Sequence, residues 1–562
     1  MSSSATATPA ATDGSRTPRN RRGSSVVGAS EPATRWNSTL IERLRSPIPG
    51  DEINSWLISI GVTLMAFLVR IVGLSRPTGL TFDETYYVKD AWSLWNGGGF
   101  ERQWPDNVDG QFLAGDYSAL EPQGSFIAHP PLGKWLIGVG GELFGWDSFG
   151  WRFMSVLFGA LMILAVIRLT RRLARSTMIG VVAGILLCFD GLHFVMSRIA
   201  LLDIFQACFL VAAVAALVVD RDWFRNRLAD HLVAGGFARL DGSGSGSVSS
   251  GFGPIVLWRP WRLVAGILFG LSIAVKWNSI YVLAAFSVLS VFWDVGARRL
   301  AGAGPQAWRS LYLDGPVAFV HHVVVAVIVY VVSWSGWLFS AGGYNRDWGA
   351  SNPDSLRVKF FGETLASLLE YHKAIFDFHT GDGIRTSTHP YQSKPGGWLF
   401  IARPIGIDAV NGIKPGTDGC PDSATSDCVR VISAIGTPIL WWVGVFALIA
   451  AVLLWIGNRD WRFGVPIVGL ASVWLTWFPN SERPIFFFYA ICIIPFTVIA
   501  LALCIGKLVG QPDSRWRRPA AIGCGVFVAL VICNFAFFYP ILTDALLTNE
   551  QWTARMWFQR WI

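Results

Sequence analysis

The sequence has few charged residues for its length and a large excess of apolar ones. Only 15% of its 562 residues are Asp, Glu, Lys or Arg, whereas 52% are hydrophobic and 14% are aromatic. An ordinary soluble domain has about a quarter of its residues charged. The formal charge of +8 comes from Arg clusters between apolar runs, which is typical of cytoplasmic loops rather than of a nucleic-acid-binding surface. We therefore expect a polytopic membrane protein with no nucleic-acid partner.

Cysteine is scarce outside the apolar runs. Six of the eight cysteines lie inside such runs, where a cysteine usually behaves as a small hydrophobic residue, so they do not indicate a metal site. The other two, Cys420 and Cys428, close the polar loop DGCPDSATSDC. They predict a disulfide if this loop faces an oxidising compartment, the alternative being two free thiols.

The N-terminal segment lacks any apolar run. Residues 1–50 are rich in Ser, Ala, Thr, Pro and Arg, a composition that predicts a disordered tail. We expect no cleavable signal peptide, because no apolar segment of the required kind is present there.

Eleven apolar runs are candidates for crossing about 30 Å of hydrocarbon as helices. They lie near residues 55–74, 149–170, 177–196, 200–219, 262–276, 278–294, 317–337, 436–457, 463–478, 484–505 and 519–540. An odd number of spans places the two termini on opposite sides of the membrane. With the N-terminus in the cytoplasm, nearly all the dense Arg clusters fall on the cytoplasmic side, as the positive-inside rule requires.

This topology predicts the organisation of the chain. An N-terminal membrane module covers residues 51–337 and contains the first long outer loop, 75–148. A second long outer loop covers 338–435. C-terminal helices cover 436–540, and an extracytoplasmic tail covers 541–562. The first outer loop is acidic and rich in Trp, and its amphipathic pieces AWSLWNGG and GKWLIGVGGELFG predict helices in the membrane interface.

Two adjacent acids stand near the start of the first outer loop. Asp83 and Glu84, in TFDETYYVKDAW, follow the first apolar run closely, so they lie near the outer surface. A carboxylate held beside an acceptor can act as a general base, and a second acid can orient the acceptor. Alternatively, the pair consists of solvated loop acids, or Asp83 is the N-cap of the following helix.

Several cations and polar groups are expected on the same side of the membrane. Charged groups at membrane depth usually mark a pathway or a site, although Arg152 and Lys276 could simply extend toward water and His389 could be an ordinary loop histidine. As a set they predict a clamp for a phosphate at the headgroup level. Its candidate members are Arg152, Arg198, Lys276, His389, Tyr391, Gln392 and Lys394.

Scattered blocks over about the first 400 residues resemble the actinobacterial branch of the protein O-mannosyltransferase family, which has the GT-C glycosyltransferase fold. The blocks are FDETYYVKDAW, HPPLGKWLIGVG, WRFMSVLFGAL, FVMSRIALLDIF, GLSIAVKWNSIY and THPYQSKPGGWLF. The resemblance implies an all-α membrane protein with about eleven transmembrane helices and two long extracytoplasmic loops. The eukaryotic relatives carry a β-trefoil domain in the second loop, for which residues 338–435 are too short.

The resemblance also implies the reaction, which is transfer of mannose from polyprenyl-phosphate mannose to Ser or Thr of a translocated polypeptide, with inversion, at the outer face of the plasma membrane. Asp83 would then be the base and Glu84 would position acceptor or sugar. Arg152, Lys276, His389, Tyr391 and Lys394 would stabilise the leaving phosphate, with Gln392 and Arg198 in the same wall.

The partners implied are the donor lipid, the acceptor polypeptide, the bilayer and, by analogy, the secretion channel. No cofactor is obligatory, because the phosphate leaves already charged, although paired carboxylates could bind a divalent ion. Two other functions stay open. One is a GT-C transferase that uses a lipid-linked pentose or aminosugar, and the other is a transporter of lipid-linked sugar.

Overall fold

The computed structural model describes residues 40–45, 47–234, 238–239, 249–510 and 513–562. Most of the segment that the sequence predicts to be disordered, residues 1–39, therefore lies outside the described residues. Residues 40–44 form one helical turn, and a two-residue ladder pairs Ala238–Arg239 with Ser249–Ser250.

In the part of the chain that the structure describes, eleven apolar helices form the body of the protein, one for each predicted run. They are α1 Glu52–Ile71, α2 Ser148–Ala174, α3 Thr177–Cys188, α4 Asp203–Val233, α5 Pro260–Val275, α6 Ser279–Leu300, α7 Gly304–Ser333, α8 Pro438–Ile456, α9 Trp461–Trp474, α10 Ile494–Val509 and α11 Arg517–Leu542. Within the described residues, seven of them (α1, α2, α4, α6, α7, α8 and α11) are long and apolar enough to cross a membrane. The other four are shorter.

Several predicted runs have different limits in the structure: α4 extends to Val233, α7 begins at Gly304, and two other runs are interrupted. The run 177–196 is divided, because α3 ends at Cys188 and Asp190 then caps a second short helix, Gly191–Met196, by accepting a hydrogen bond from the His193 amide (2.9 Å). The run 484–505 begins as a 3₁₀ segment, and the α-helix starts only at Ile494, with Pro495 in its first turn. Hydrophobicity alone does not reveal either of these boundaries.

The two long connecting loops fold into short helices and a small sheet. The first loop contains Glu84–Asn96, Asp109–Leu113 and Leu132–Phe144, so both amphipathic pieces are helical as predicted. The second contains Ser335–Phe339, Trp348–Ser351, Leu356–Thr380, Asp382–Arg385 and the 3₁₀ helix Pro395–Phe400. Gly362, with a φ of 75°, interrupts the longest of these helices.

An antiparallel sheet joins the second loop to the C-terminal tail. Strand β1 (Ile405–Ile413) pairs with β2 (Cys428–Ala434), which in turn pairs with β3 (Leu546–Thr548). Cys420 and Cys428 form the predicted disulfide, which closes the loop between β1 and β2. The indole of Trp561 donates a hydrogen bond to the Ile401 carbonyl (2.7 Å), so the last residues of the chain are fastened to the same loop. The all-α architecture that the resemblance implies does not include this sheet.

Candidate active site

Asp83 directly precedes the helix Glu84–Asn96, but its carboxylate does not cap that helix. The carboxylate instead accepts a long hydrogen bond from the Tyr87 hydroxyl (3.4 Å). The preceding residue, Phe82, has a left-handed φ of 50°, which is unusual for a bulky side chain. Its ring packs edge-on against Phe486 and Phe488, and this packing fixes the turn that carries Asp83.

The surroundings of Asp83 raise the pKa of its carboxyl group to a value that suits a general base near neutral pH. Burial raises the pKa of Asp83 to about 6, and the Asp203 carboxylate acts in the same direction. Lys276 and the Tyr87 hydrogen bond act against this rise. A carboxylate with such a pKa is ionised at pH 7 and is still basic enough to accept a proton.

Glu84, the neighbouring acid, is fully enclosed by the protein. It accepts hydrogen bonds from Nε (2.8 Å) and Nη2 (2.7 Å) of Arg152, from the Thr81 hydroxyl (2.9 Å) and from the Ala200 amide (2.8 Å). Burial acts to raise the pKa of Glu84, but Arg152 and these hydrogen bonds hold it below its ordinary value. All the acceptor capacity of this carboxylate is used inside the protein.

Arg152 is equally enclosed. Besides its bonds to Glu84, its Nη1 donates to the Pro77 carbonyl (2.7 Å) and its Nη2 to the Gly79 carbonyl (3.0 Å). Neither Arg152 nor Glu84 exposes any side-chain surface. The roles implied for them, phosphate binding and acceptor positioning, therefore need correction. In this structure the pair fastens the start of the first loop to α2.

Arg198 also differs from the role that the resemblance implies. Its guanidinium donates hydrogen bonds to the carbonyls of Arg70, Val72 (2.7 Å) and Gly73 (2.9 Å) at the end of α1. These carbonyls lack partners within the helix, so Arg198 caps α1. It is 6% exposed and does not line the cavity described next.

A cavity of about 510 Å³ lies between the two long loops and helices α4 to α7. One wall is polar, and the other is apolar and runs down between the helices. The polar wall includes His129, Asp203, Lys276, His379, Arg483 and Tyr489. The apolar wall includes Ile273, Ile280, Leu283, Val323 and Val327. The cavity therefore fits a ligand with an anionic head and a hydrocarbon tail.

Lys276 is the predicted cation that lies in this cavity. It follows the last residue of α5, and its Nζ lies 2.8 Å from Oδ2 of Asp203, the first residue of α4. The ammonium group also lies 5.2 Å from the centre of the Tyr489 ring. Because Lys276 also affects the pKa of Asp83, the base and the cavity share one electrostatic environment.

A second cation, Arg483, also lines the cavity. Its Nη1 donates to Nδ1 of His379 (3.2 Å), while Nε2 of His379 donates to the Ala128 carbonyl (2.8 Å). Within the part of the chain that the structure describes, the buried Nε of Arg483 has no hydrogen-bond partner. This nitrogen is a donor available to a bound anion.

The imidazole groups of the cavity are neutral. Burial lowers the pKa of His129 well below its usual value, and the charge of Lys276 lowers it further. Burial likewise lowers the pKa of His379. The two rings stack with their centroids 5.5 Å apart. Lys276 and Arg483 therefore supply the positive charge of the cavity.

The segment THPYQSKP lies beside Asp83 rather than in the cavity wall. The His389 ring packs edge-on against Phe82 (6.4 Å) and Phe486 (5.0 Å). The Tyr391 amide donates to His389 (3.1 Å), and the Gln392 amide donates to the His389 carbonyl. Lys394 is exposed and donates to the Ser481 carbonyl. None of these four residues lines the described cavity.

Comparisons with known proteins show the family of the chain. The family model "Dolichyl-phosphate-mannose-protein mannosyltransferase" matches residues 60–237, and the model "C-terminal four TMM region of protein-O-mannosyltransferase" matches residues 364–561. A Mycolicibacterium smegmatis protein named polyprenol-phosphate-mannose–protein mannosyltransferase is 34% identical over 91% of this chain and 94% of its own length. The Mycobacterium tuberculosis protein of the same name is 33% identical over 91% and 93%. The chain belongs to the protein O-mannosyltransferase family.

The fold agrees with that family as well. The structure of the Saccharomyces cerevisiae protein O-mannosyltransferase Pmt1–Pmt2 complex bound to the sugar donor superposes with a TM-score of 0.64, at 12% sequence identity, over 93% of this chain and 94% of that one. The predicted GT-C fold is therefore confirmed, and the protein is a multi-pass membrane protein.

Of the polar wall residues His129, Asp203, Lys276, His379, Arg483 and Tyr489, only Lys276 was predicted from the sequence. The sequence contexts of His129, Asp203 and Arg483 nevertheless carry a signal. His129 stands in HPPLGKW and Asp203 in FVMSRIALLDIF, two of the resembling blocks. Arg483 precedes the apolar run FFFYAICIIPF, where a cation at membrane depth is unusual. His379 has no such context, because only the fold brings the helix Leu356–Thr380 to the cavity.

Proposed function

We propose that the protein transfers mannose from polyprenyl-phosphate mannose to Ser or Thr hydroxyls of polypeptides, with inversion at the anomeric carbon. The observation that carries this proposal is the half-buried Asp83, whose carboxylate shares its electrostatic environment with a cavity that has two cations and an apolar wall. The names of the two mycobacterial relatives support the same donor and a protein acceptor.

The chemistry requires one base and one anion site. Asp83 takes the proton of the acceptor hydroxyl as the hydroxyl oxygen attacks the anomeric carbon, and the bond between that carbon and the phosphate oxygen breaks on the opposite face. The electron pair of this bond leaves with the lipid phosphate. Lys276 and Arg483 stabilise the charge that accumulates there, which lowers the barrier because both groups are already in place.

The orientation in the membrane follows from charge. The end of the helices opposite the cavity carries the Arg-rich segments, such as Arg171 and Arg172 in the last turn of α2. The positive-inside rule assigns this end to the cytoplasm. The N-terminus is then cytoplasmic, and the C-terminus and active site face the outside of the plasma membrane. Acceptors would meet the enzyme there as they leave the secretion channel.

A labelled donor tests the proposed reaction directly. Membranes that contain the protein are incubated with labelled polyprenyl-phosphate mannose and a Thr-containing peptide, and the products are separated. Label on the peptide as an α-mannoside supports the proposal. Label on a glycan or lipid would instead indicate another GT-C transferase, and movement of the donor across vesicles without cleavage would indicate a transporter.

We propose that the reaction needs no divalent ion. The leaving phosphate is anionic throughout, and Lys276 and Arg483 already supply two positive charges at the head of the cavity. Transfer measured in excess EDTA is therefore expected to keep at least half of its rate. A loss of more than about tenfold that added Mg²⁺ or Mn²⁺ restores would contradict this proposal.

The pH dependence of kcat/KM is expected to show an acidic limb with an apparent pKa of about 6, the value of Asp83. Below this pH, Asp83 is protonated and cannot accept the acceptor's proton, so the rate falls about tenfold per pH unit. The Asp203 carboxylate raises the pKa of Asp83, so Asp203→Asn should move the limb to lower pH. If the acidic limb of Asp203→Asn stays at the wild-type pH, a group other than Asp83 is responsible for it.

Replacement of Arg483 by glutamine is expected to weaken donor binding about tenfold or more, because a hydrogen bond to a charged group contributes about 1.5–3 kcal/mol. The affinity is measured with a non-transferable donor analogue. Arg385→Gln is the matched control, because Arg385 is exposed and pairs with Glu482 outside the cavity. Equal affinities in the two variants would remove Arg483 from the donor site.

A further inference from the structure

A second cavity, of about 590 Å³, lies at the end of the helices opposite the candidate active site. Its lining residues come from the C-terminal end of α2, the start of α3, the start of α9, the last turns of α10 and the start of α11. The first outer loop, which carries Asp83, leads into the other end of α2. The two cavities therefore lie near opposite surfaces of the membrane.

The polar lining of the second cavity is strongly cationic. Arg175, Arg462, Lys507 and Arg517 line it, and none of its described lining residues is acidic. The nearest carboxylate, Asp460, is shared, because it lies 2.5 Å from Nη2 of Arg462 and 3.4 Å from Nζ of Lys507. One acid therefore faces two cations, and positive charge is in excess.

Arg175 also shares its acid. Asp222 lies 3.0 Å from Nη2 of Arg175 and 3.0 Å from Nη1 of Arg172, and it pairs with Arg221 as well. Three guanidinium groups thus compete for one carboxylate.

Arg517 has a free guanidinium group. It is half-buried at the start of α11, and in the part of the chain that the structure describes its side chain has no hydrogen bond or ion pair. A guanidinium presents a planar set of donors that matches the oxygens of a phosphate. Arg517 is therefore the cation of this cavity most available to an external anion.

The remaining lining is apolar. Met178, Ile179, Phe463, Leu503 and Val509 form a wall beside the four cations. Gly506 adds space, since a Cβ built on it would meet Ile179 only at ordinary contact distance. A free phosphate ion would gain nothing from such a wall, whereas the upper acyl chain of a lipid would bury apolar surface against it.

We propose that this cavity binds an anionic phospholipid of the leaflet opposite the active site, with its phosphate on Arg517 and Lys507 and its upper acyl chain on the apolar wall. Basic pockets between membrane helices recognise anionic headgroups in this way. The proposal is independent of the transfer reaction, because no residue of the second cavity lines the first.

The test counts bound lipid on the full-length protein. The protein is reconstituted in nanodiscs with mixtures of phosphatidylglycerol and phosphatidylcholine, extracted in mild detergent and examined by native mass spectrometry. Each cation near a membrane surface contributes about a fivefold preference for anionic lipid. Arg517→Gln and Lys507→Gln should each weaken phosphatidylglycerol retention about fivefold, and the double variant about 25-fold. Millimolar inorganic phosphate should not displace the lipid.

Arg515→Gln is the matched control. Arg515 is an exposed neighbour that stacks on Trp516 and does not line the cavity, yet its replacement removes the same charge. Equal losses in Arg515→Gln and Arg517→Gln would overturn the proposal in favour of diffuse surface attraction. If wild-type protein retains phosphatidylcholine as well as it retains phosphatidylglycerol, the proposal is overturned as well. If inorganic phosphate displaces the bound phosphatidylglycerol, the cavity is a site for a free anion instead. If the Arg517→Gln protein does not elute from size-exclusion chromatography as a single species, phosphatidylglycerol retention in Lys507→Gln alone decides the test.

Discussion

Replacement of Asp83 by asparagine is expected to slow mannosyl transfer by about a thousandfold. General-base catalysis contributes about 10²–10⁴-fold, and asparagine cannot accept the acceptor's proton. The substitution keeps the size of the side chain and its contact with Tyr87, so the turn held by Phe82 should survive. The measurement is the initial rate of label transfer to peptide at saturating donor and acceptor.

A matched change in the same loop separates the loss of the base from a general loss of charge. Asp106 is exposed, and Asp106→Asn should keep the wild-type rate. If Asp83→Asn retains more than about a tenth of the rate, Asp83 is not the base, and another carboxylate near the cavity, such as Asp203, must be considered.

Breaking the buried pair of Glu84 and Arg152 is expected to destabilise the protein by about 3–5 kcal/mol, because the partner left behind is a buried charge without compensation. Glu84→Gln leaves Arg152 without its anion, and Arg152→Met leaves Glu84 without its cation. Both variants should show a clearly lower Tm in detergent and a reduced yield of folded protein.

The exposed pair of Lys373 and Asp377 is the control for this prediction, since both side chains are about half exposed and breaking such a surface pair should leave the Tm nearly unchanged. The double variant Glu84→Gln/Arg152→Met should lose less stability than the sum of the single variants, because the two residues interact directly. A Glu84→Gln protein with an unchanged Tm and weakened acceptor binding would instead support the role that the family resemblance implies.

The helical body of the protein was predictable because membrane helices are encoded by long apolar runs. Each of the eleven runs coincides with a helix, and the break at Asp190 shows the limit of this signal, since one capping carboxylate divides an otherwise apolar stretch. The location of Asp83 near the outer surface was predictable, because it follows the first apolar run closely in the sequence. The sheet was not, because β3 comes from a tail more than a hundred residues after β2.

The cationic clamp was predicted only in part, for a physical reason. A charge at membrane depth indicates either a ligand or a protein partner, and the sequence does not distinguish the two. The guanidinium of Arg152 pairs with Glu84, and that of Arg198 donates to backbone carbonyls at the end of α1, whereas Lys276 pairs with Asp203 and still lines the cavity. The sequence marks Arg483 only as a cation before an apolar run, and the fold adds that its unpaired Nε lies at the same cavity.

The central claim is that Asp83 acts on the acceptor while Lys276 and Arg483 hold the donor. Donor affinity in the Asp83→Asn variant tests it most directly, measured by equilibrium binding of labelled polyprenyl-phosphate mannose with Arg483→Gln examined in parallel. The account predicts wild-type affinity in Asp83→Asn and affinity at least about tenfold weaker in Arg483→Gln. A large loss of donor affinity in Asp83→Asn, with normal affinity in Arg483→Gln, would contradict it.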